Sequence, residues 1–289
     1  MKDRILTTKA PAKLNLLLKV TGRRPDGYHD LVSLMVPVDF WDVLEYEVIP
    51  EKVELVWEGL PVPDDESNLV RRAARAFFER SGVKGGVCVR VAKNIPVAAG
   101  MGGGSSDAAA TLLALNHLWS RPLSLETLGE LALELGADVP FFLKPRPCIA
   151  KGIGEILEPL ERWPEFWYVI VTPRFQVSTA WMYEHLRLGL TSTQYDRIKT
   201  ELRKKRPVIS RLLENDLESV TSANFPILDR IKETLLDAGA EGALMTGSGP
   251  TVFGVFVSRK QAEQASDKII PNDFGRVILA GDWKGHQII

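Results

Sequence analysis

Apolar and polar positions alternate from Ala12 to Val20. Leu14, Leu16, Leu18 and Val20 fall on one side of an extended chain, and Lys13, Asn15 and Leu17 on the other, which is the period of a half-buried strand. Lys13 and Asn15 then have two open readings: a solvated outer face, or two polar groups held side by side in a site. Gly22, Pro25 and Gly27 break the pattern and predict a loop over Thr21–Asp30, ending in Tyr28-His29. Val53, Leu55 and Trp57, and later Val87, Val89 and Val91, predict two further strands. Between them, Asn68 predicts the cap of a helix reaching Arg80, with Leu69, Ala73, Ala76 and Phe77 inward and Gly82 as its stop. Leu112, Leu113 and Leu115 predict a helix to Trp119. Ser124 predicts the start of another, with Leu125, Leu128, Leu131, Ala132 and Leu135 inward and Gly136 at its end.

In the second half, Phe166–Val171 and Val252–Val257 predict strands and Pro226–Ala238 a helix, while Arg187–Pro207 is so charged that exposure is expected. The elements alternate without a regular βαβ rhythm, so the class expected is α+β. The turn-rich Lys151–Glu155, followed by Trp163-Pro164, predicts a division into residues 1–155 and 156–289.

Composition narrows the function classes. A chain of 289 residues, 45% hydrophobic and 25% charged, can bury a sizeable core. A formal net charge of -1 argues against nucleic acid as the main partner. Cys88 and Cys148 stand in no metal-ligand spacing and fit a reducing cytoplasm. Met1–Lys9 lacks the apolar centre of a signal peptide, and no apolar run approaches a membrane span. A cytoplasmic location is expected, with no membrane partner.

The run Pro96, Val97, Ala98, Ala99, Gly100, Met101, Gly102, Gly103, Gly104, Ser105, Ser106 carries the chemistry. Glycines let main-chain N–H groups converge, and a helix starting there adds unpaired N–H groups and the positive end of its dipole. Together they make a polyphosphate cradle. The run is not a Walker A loop, because Ser105 stands where that motif has lysine, and the same serine removes the third glycine of a dinucleotide fingerprint. Asp273-Phe274-Gly275 spells a protein-kinase metal motif, but no catalytic loop precedes it, and it is assigned to a turn. His117, His185 and His286 match no motif and are expected to be structural or exposed.

Three motifs in this order, Pro11–Asn15, Pro96–Ser106 and Gly247-Ser248-Gly249-Pro250, resemble the GHMP small-molecule kinase superfamily and span almost the whole chain. Arg23 with Pro25-Asp26-Gly27-Tyr28-His29, Asn68-Leu69, Gly136–Phe142, Gly152–Glu155 and Asn215–Glu218 narrow the resemblance to the branch whose alcohol substrate carries a cytidine diphosphate. Lys144-Pro145-Arg146-Pro147 departs from it, where a short glycine-containing turn is more usual.

The resemblance implies a two-domain α+β fold, with an N-terminal domain like ribosomal protein S5 domain 2 and a ferredoxin-like C-terminal domain. It implies ATP-dependent transfer to the 2-hydroxyl of a methylerythritol moiety in non-mevalonate isoprenoid synthesis, with Mg2+ bridging the phosphates and either Ser105 or Ser106 near the ion. Asp138 is then the base and Lys13 its neighbour. Asn68 and Lys93 lie near the nucleoside or are a cap and a surface lysine. Asn15, Tyr28, His29, Thr179 and Tyr183 serve the cytidine-bearing substrate, Tyr183 either stacking on cytosine or packing with Trp181 and Met182. The branch includes monomers and homodimers, and no interface is legible.

Overall fold

In the computed structural model, which describes residues 5–63, 65–186, 200–202, 204 and 207–285, the Ala12–Val20 alternation is the middle of a much longer strand. β1 (Ile5–Arg23) and β2 (His29–Ile49) form a long antiparallel pair interrupted by register shifts between Pro11 and Ala12, Asn15 and Leu17, and Val20 and Gly22. An extra residue at such a bulge resets the side-chain phase. The expected single apolar face is therefore split: Leu14, Leu16 and Leu17 enter one core, Leu18 and Val20 another. The predicted loop shrinks to residues 24–28.

The first sheet continues with β3 (Val53–Gly59), parallel to β4 (Gly86–Lys93), which pairs with β2. On its other flank β2 takes the hairpin of β5 (Cys148–Gly152) and β6 (Ile156–Pro159), so both strands around residue 155 belong to this sheet. Four helices cover it: α1 (Leu69–Ser81), α2 (Gly103–Leu118), α3 (Leu125–Leu135) and α4 (Val139–Leu143). Asn68 accepts from the Val70 and Arg71 N–H groups at the start of α1, and Gly82 closes it in the left-handed conformation. Leu125 is the exception among the expected inward residues, at 80% exposed. It opens α3, one position after the Ser124 cap, where the helix end meets solvent.

The chain then builds a second, antiparallel sheet of β7 (Trp167–Thr172), β9 (Gly242–Met245), β10 (Val252–Phe256) and β11 (Arg276–Gly281) in the order β11-β7-β10-β9. Helices α5 (Thr179–His185), α6 (Glu218–Asn224) and α7 (Ile227–Asp237) lie between β7 and β9 in sequence, and α8 (Arg259–Ile269) between β10 and β11. That is the βαββαβ order of a ferredoxin-like unit. β8 (Glu214–Asn215) leaves this unit and pairs in parallel with β1. Most of Arg187–Pro207 lies outside the described residues; within it Glu201 is buried, against expectation, and accepts from Lys204 and the Val208 N–H. Asp273–Gly275 is a turn, with Asp273 at φ 51.

The molecule stacks in four layers. One face of the first sheet packs on α1–α4. Its other face meets the second sheet directly, with Leu14, Leu16 and Val36 against Tyr168, Ile170 and Phe253. Val169, Val171 and Phe256 point the opposite way, onto α7 and α8. β1 and the glycine loop therefore lie on the seam between two cores.

Candidate active site

A cleft of about 1240 Å³ runs along this seam. One wall is the Pro96–Ser105 loop. Gly100 sits at φ 78, and a Cβ there would collide with the Thr246 carbonyl oxygen, so the two glycine turns can approach only because no side chain stands between them. α2 begins at Gly103 after Gly102 at φ 71, with no side-chain cap. A Cβ at Gly103 would lie 2.9 Å from Ile95 Cγ2 and 3.0 Å from Lys93 Nζ. The first intrahelical bond runs from the Ser106 N–H to the Gly102 carbonyl at 2.9 Å. Earlier N–H groups have no acceptor in the helix, and Gly103, Gly104 and Ser105 line the cleft.

Pro96, Val97, Ala98 and Ala99 line the cleft too; Met101 and Ser106 do not. Met101 packs in the inter-sheet core, and its carbonyl accepts the Lys13 N–H at 3.0 Å. Ser106 is turned into the protein by the helix rotation, and its hydroxyl is buried without a partner.

Lys13 and Asn15 are 4% and 3% exposed, which removes the solvated-face reading. Lys13 donates to Asn15 Oδ1 and stands 3.5 Å from Asp138 Oδ2. Asp138 immediately precedes α4, yet its side chain caps nothing, and 39% of it remains accessible. A buried ammonium and a half-open carboxylate thus meet in the cleft beside the start of α2. The Asn15 N–H donates to Thr246 Oγ1 at 2.8 Å, tying β1 to the second glycine turn.

Lys93 is the contrasting lysine. It borders the cleft but is no surface residue: Asp42 and Asp107 hold its Nζ at 2.5 and 2.6 Å, all three groups being almost fully buried. Burial alone would lower its pKa, and the carboxylates overcome that and raise it. Burial likewise holds Asp107 above the usual carboxylate range despite the Lys93 charge. Asp42 also accepts the Asn94 and Ile95 N–H groups, so the triad fixes the entrance to the glycine loop. Asn68 caps α1 and also borders the cleft, with Nδ2 donating to the Pro63 carbonyl.

At the other end stand Tyr28, His29, Thr179 and Tyr183. The rings of His29 and Tyr183 stack at 5.0 Å with 22° between their planes, whereas Tyr28 is 60% exposed and faces neither. The stack here is histidine on tyrosine, because Arg23 and His29 close the β1–β2 ladder and leave Tyr28 in the loop. Burial, with the nearby Asp138 charge, pushes the Tyr183 phenol up to about 12. Trp181 stacks on His185, and Trp181 and Tyr183 both pack against the core cluster that holds Met182. Thr179 Oγ1 and Ser248 Oγ are 2.8 Å apart, joining α5 to the second glycine turn. His117 is exposed, and His286 lies outside the described residues.

Three further residues shape the site. Asn215 Nδ2 donates to the Met245 and Gly247 carbonyls at 2.8 and 2.9 Å. Thr246 anchors Asn15, and Ser33 accepts from Asn15 Nδ2 at 2.7 Å. Asn215 and the Thr246 turn fall in or beside motifs; Ser33 carries no local signal.

Residues 68–145 match the GHMP kinases N terminal domain, and residues 198–274 the GHMP kinases C terminal domain. The 4-diphosphocytidyl-2-C-methyl-D-erythritol kinase of Geobacter metallireducens is 46% identical over 272 residues, covering 91% of this chain and 94% of that protein. The chain belongs to the GHMP kinase family. The enzyme of the same name from Syntrophotalea carbinolica is 45% identical over 261 residues, 90% of this chain and 92% of its own. A crystal structure of a 4-(cytidine 5'-diphospho)-2C-methyl-D-erythritol kinase superposes with a TM-score of 0.80 at 36% identity, covering 96% of this chain and all of that one (100%). A homoserine kinase from Cytophaga hutchinsonii, at TM-score 0.77 and 19% identity, shares the GHMP kinase fold.

Proposed function

We infer that this chain uses ATP to phosphorylate the 2-hydroxyl of 4-diphosphocytidyl-2-C-methyl-D-erythritol, a step of non-mevalonate isoprenoid precursor synthesis. One observation carries the reading: the Lys13–Asp138 pair stands in the same cleft as the open start of α2 on one side and the His29–Tyr183 stack on the other. Kinases of this name, 45–46% identical, share 90–91% of the chain.

In this reading the α2 N-terminus and the glycine loop hold the triphosphate through main-chain N–H groups. Asp138 accepts the acceptor's hydroxyl proton as the oxygen attacks the γ-phosphorus and the bond to the β–γ bridging oxygen breaks. An aspartate with a reference pKa of about 3.9 cannot remove that proton beforehand, and a loose transition state does not ask it to. Lys13, nearly buried, orients Asp138 and offsets charge developing on the acceptor oxygen. The aromatic end takes cytosine, with Tyr28 free to fold over it. Asn68, Lys93 and the apolar wall around them form the nucleoside side.

Among the described residues no three His, Cys, Asp or Glu side chains gather into a metal site. The cleft offers the Ser105 hydroxyl at the start of α2, a single oxygen that would suit Mg2+ only as an ion arriving on the nucleotide and keeping phosphate and water ligands. When bound, the ion neutralises phosphate charge. Cys88 and Cys148 are buried free thiols, which suits the proposed cytoplasmic location.

The test is ATP consumption with 4-diphosphocytidyl-2-C-methyl-D-erythritol, read by phosphorus NMR. A new phosphomonoester on the 2-hydroxyl is expected. Turnover of homoserine or mevalonate in its place would overturn the assignment.

A further inference from the structure

We propose that Ser33 is a positioning residue that sets the direction of the Lys13 ammonium by fixing which way the Asn15 amide faces. This rests on the role given above to Lys13. Ser33 is 1% exposed, on β2. Its hydroxyl donates to the Leu17 carbonyl at 2.6 Å, just past the bulge that separates Asn15 from Leu17. A hydroxyl has one hydrogen, so toward Asn15 the Ser33 oxygen can only accept. Asn15 must therefore present its NH2 to Ser33, at 2.7 Å, and its oxygen to the other side, where Lys13 Nζ donates to it. The Asn15 backbone is held separately by Thr246, so the amide has little freedom to compensate by shifting.

The chain thus has a direction: Lys13 to Asn15, Asn15 to Ser33, Ser33 to the Leu17 carbonyl. Without the last link, the buried Asn15 NH2 has lost its acceptor, and only Lys13 Nζ and Thr246 Oγ1, the latter 3.5 Å away, still call for the oxygen end of the amide. The flipped amide would turn two N–H donors on an ammonium that has none but donors itself. Lys13 would then leave the position from which it faces Asp138.

Ser33→Ala tests this, with Ser33→Thr as the variant that keeps the hydroxyl. Ser33→Ala should lower kcat roughly 10- to 100-fold, the scale of a misplaced catalytic group, with KM for ATP within twofold and the folded state intact by circular dichroism. Ser33→Thr should restore most of kcat. A crystal structure of Ser33→Ala reads the same point with no substrate present, and is independent of the substrate assignment: the Lys13 Nζ to Asn15 Oδ1 contact should be lost. An unchanged contact, or Ser33→Ala turnover equal to wild type, would overturn the proposal. So would equal losses in Ser33→Ala and Ser33→Thr, since a purely steric role predicts them.

Discussion

Two lysines border this cleft, each beside carboxylates, and they are built for opposite ends. Lys93 is locked between Asp42 and Asp107 at 2.5 and 2.6 Å, with every member of the triad almost fully buried. Lys13 is just as buried, but its carboxylate stands off at 3.5 Å and remains 39% accessible. A doubly paired ammonium has little left to offer a ligand. One whose partner is half open has an incomplete set of contacts that a substrate can finish. The difference lies less in residue type than in whether the carboxylate is closed in by backbone N–H groups, as Asp42 is by Asn94 and Ile95, or left free, as Asp138 is at the head of α4.

Substitutions at the two corners should therefore fail in different ways. Asp138→Asn should lower turnover by roughly 10²–10⁴-fold with ATP binding and melting temperature kept; Lys13→Met should follow it. Near-normal turnover in either would remove that residue from the chemistry. Lys93→Met should strike stability, costing about 3–5 kcal/mol because it strands buried carboxylates. Urea denaturation reads this, and an unchanged midpoint would show that the triad is not an essential structural unit. Smaller still, Tyr28→Ala should raise KM for the cytidine substrate by the equivalent of about 1–3 kcal/mol, the worth of one stacked base. A defect confined to ATP would mean that the cleft's two ends have been exchanged.

A fourth carboxylate gives the mildest test. Asp282 is held by Trp163 Nε1, the Phe166 N–H and the Tyr168 hydroxyl, and burial still keeps its pKa above the usual 3.8. The folded protein thus holds this proton more tightly than the unfolded chain. Its contribution to stability grows as pH falls from that raised value toward 3.8 and fades as pH rises through it. Asp282→Asn should flatten that slope in thermal melts taken across pH; a slope unchanged from wild type would assign it to other groups.

The parts of the molecule legible in its sequence are those whose signals are local. Asn68, Gly82 and Ser124 announce helix ends because capping is settled within a few residues. The glycine run reveals a cradle because only glycine tolerates the approach of Thr246. β2 escapes the alternation test because Ser33–Val38 is buried on both faces and shows no polar side. With β2 hidden, Ser33 is hidden too. The bulge between Asn15 and Leu17 is equally silent, since it arises from pairing with a distant strand. The locked state of Lys93 depends on Asp42, which is 51 residues away. The His29–Tyr183 stack likewise joins the ends of β2 and α5, elements from opposite halves.

The short return of Glu214–Asn215 to pair alongside Leu17 and Leu18 has an outcome for anyone dividing this protein. A fragment stopping near the end of β6 would bare the flank of the very strand that bears Lys13. Open strand flanks recruit foreign chains. Such a half should clump when produced alone and recover when its complement is made beside it.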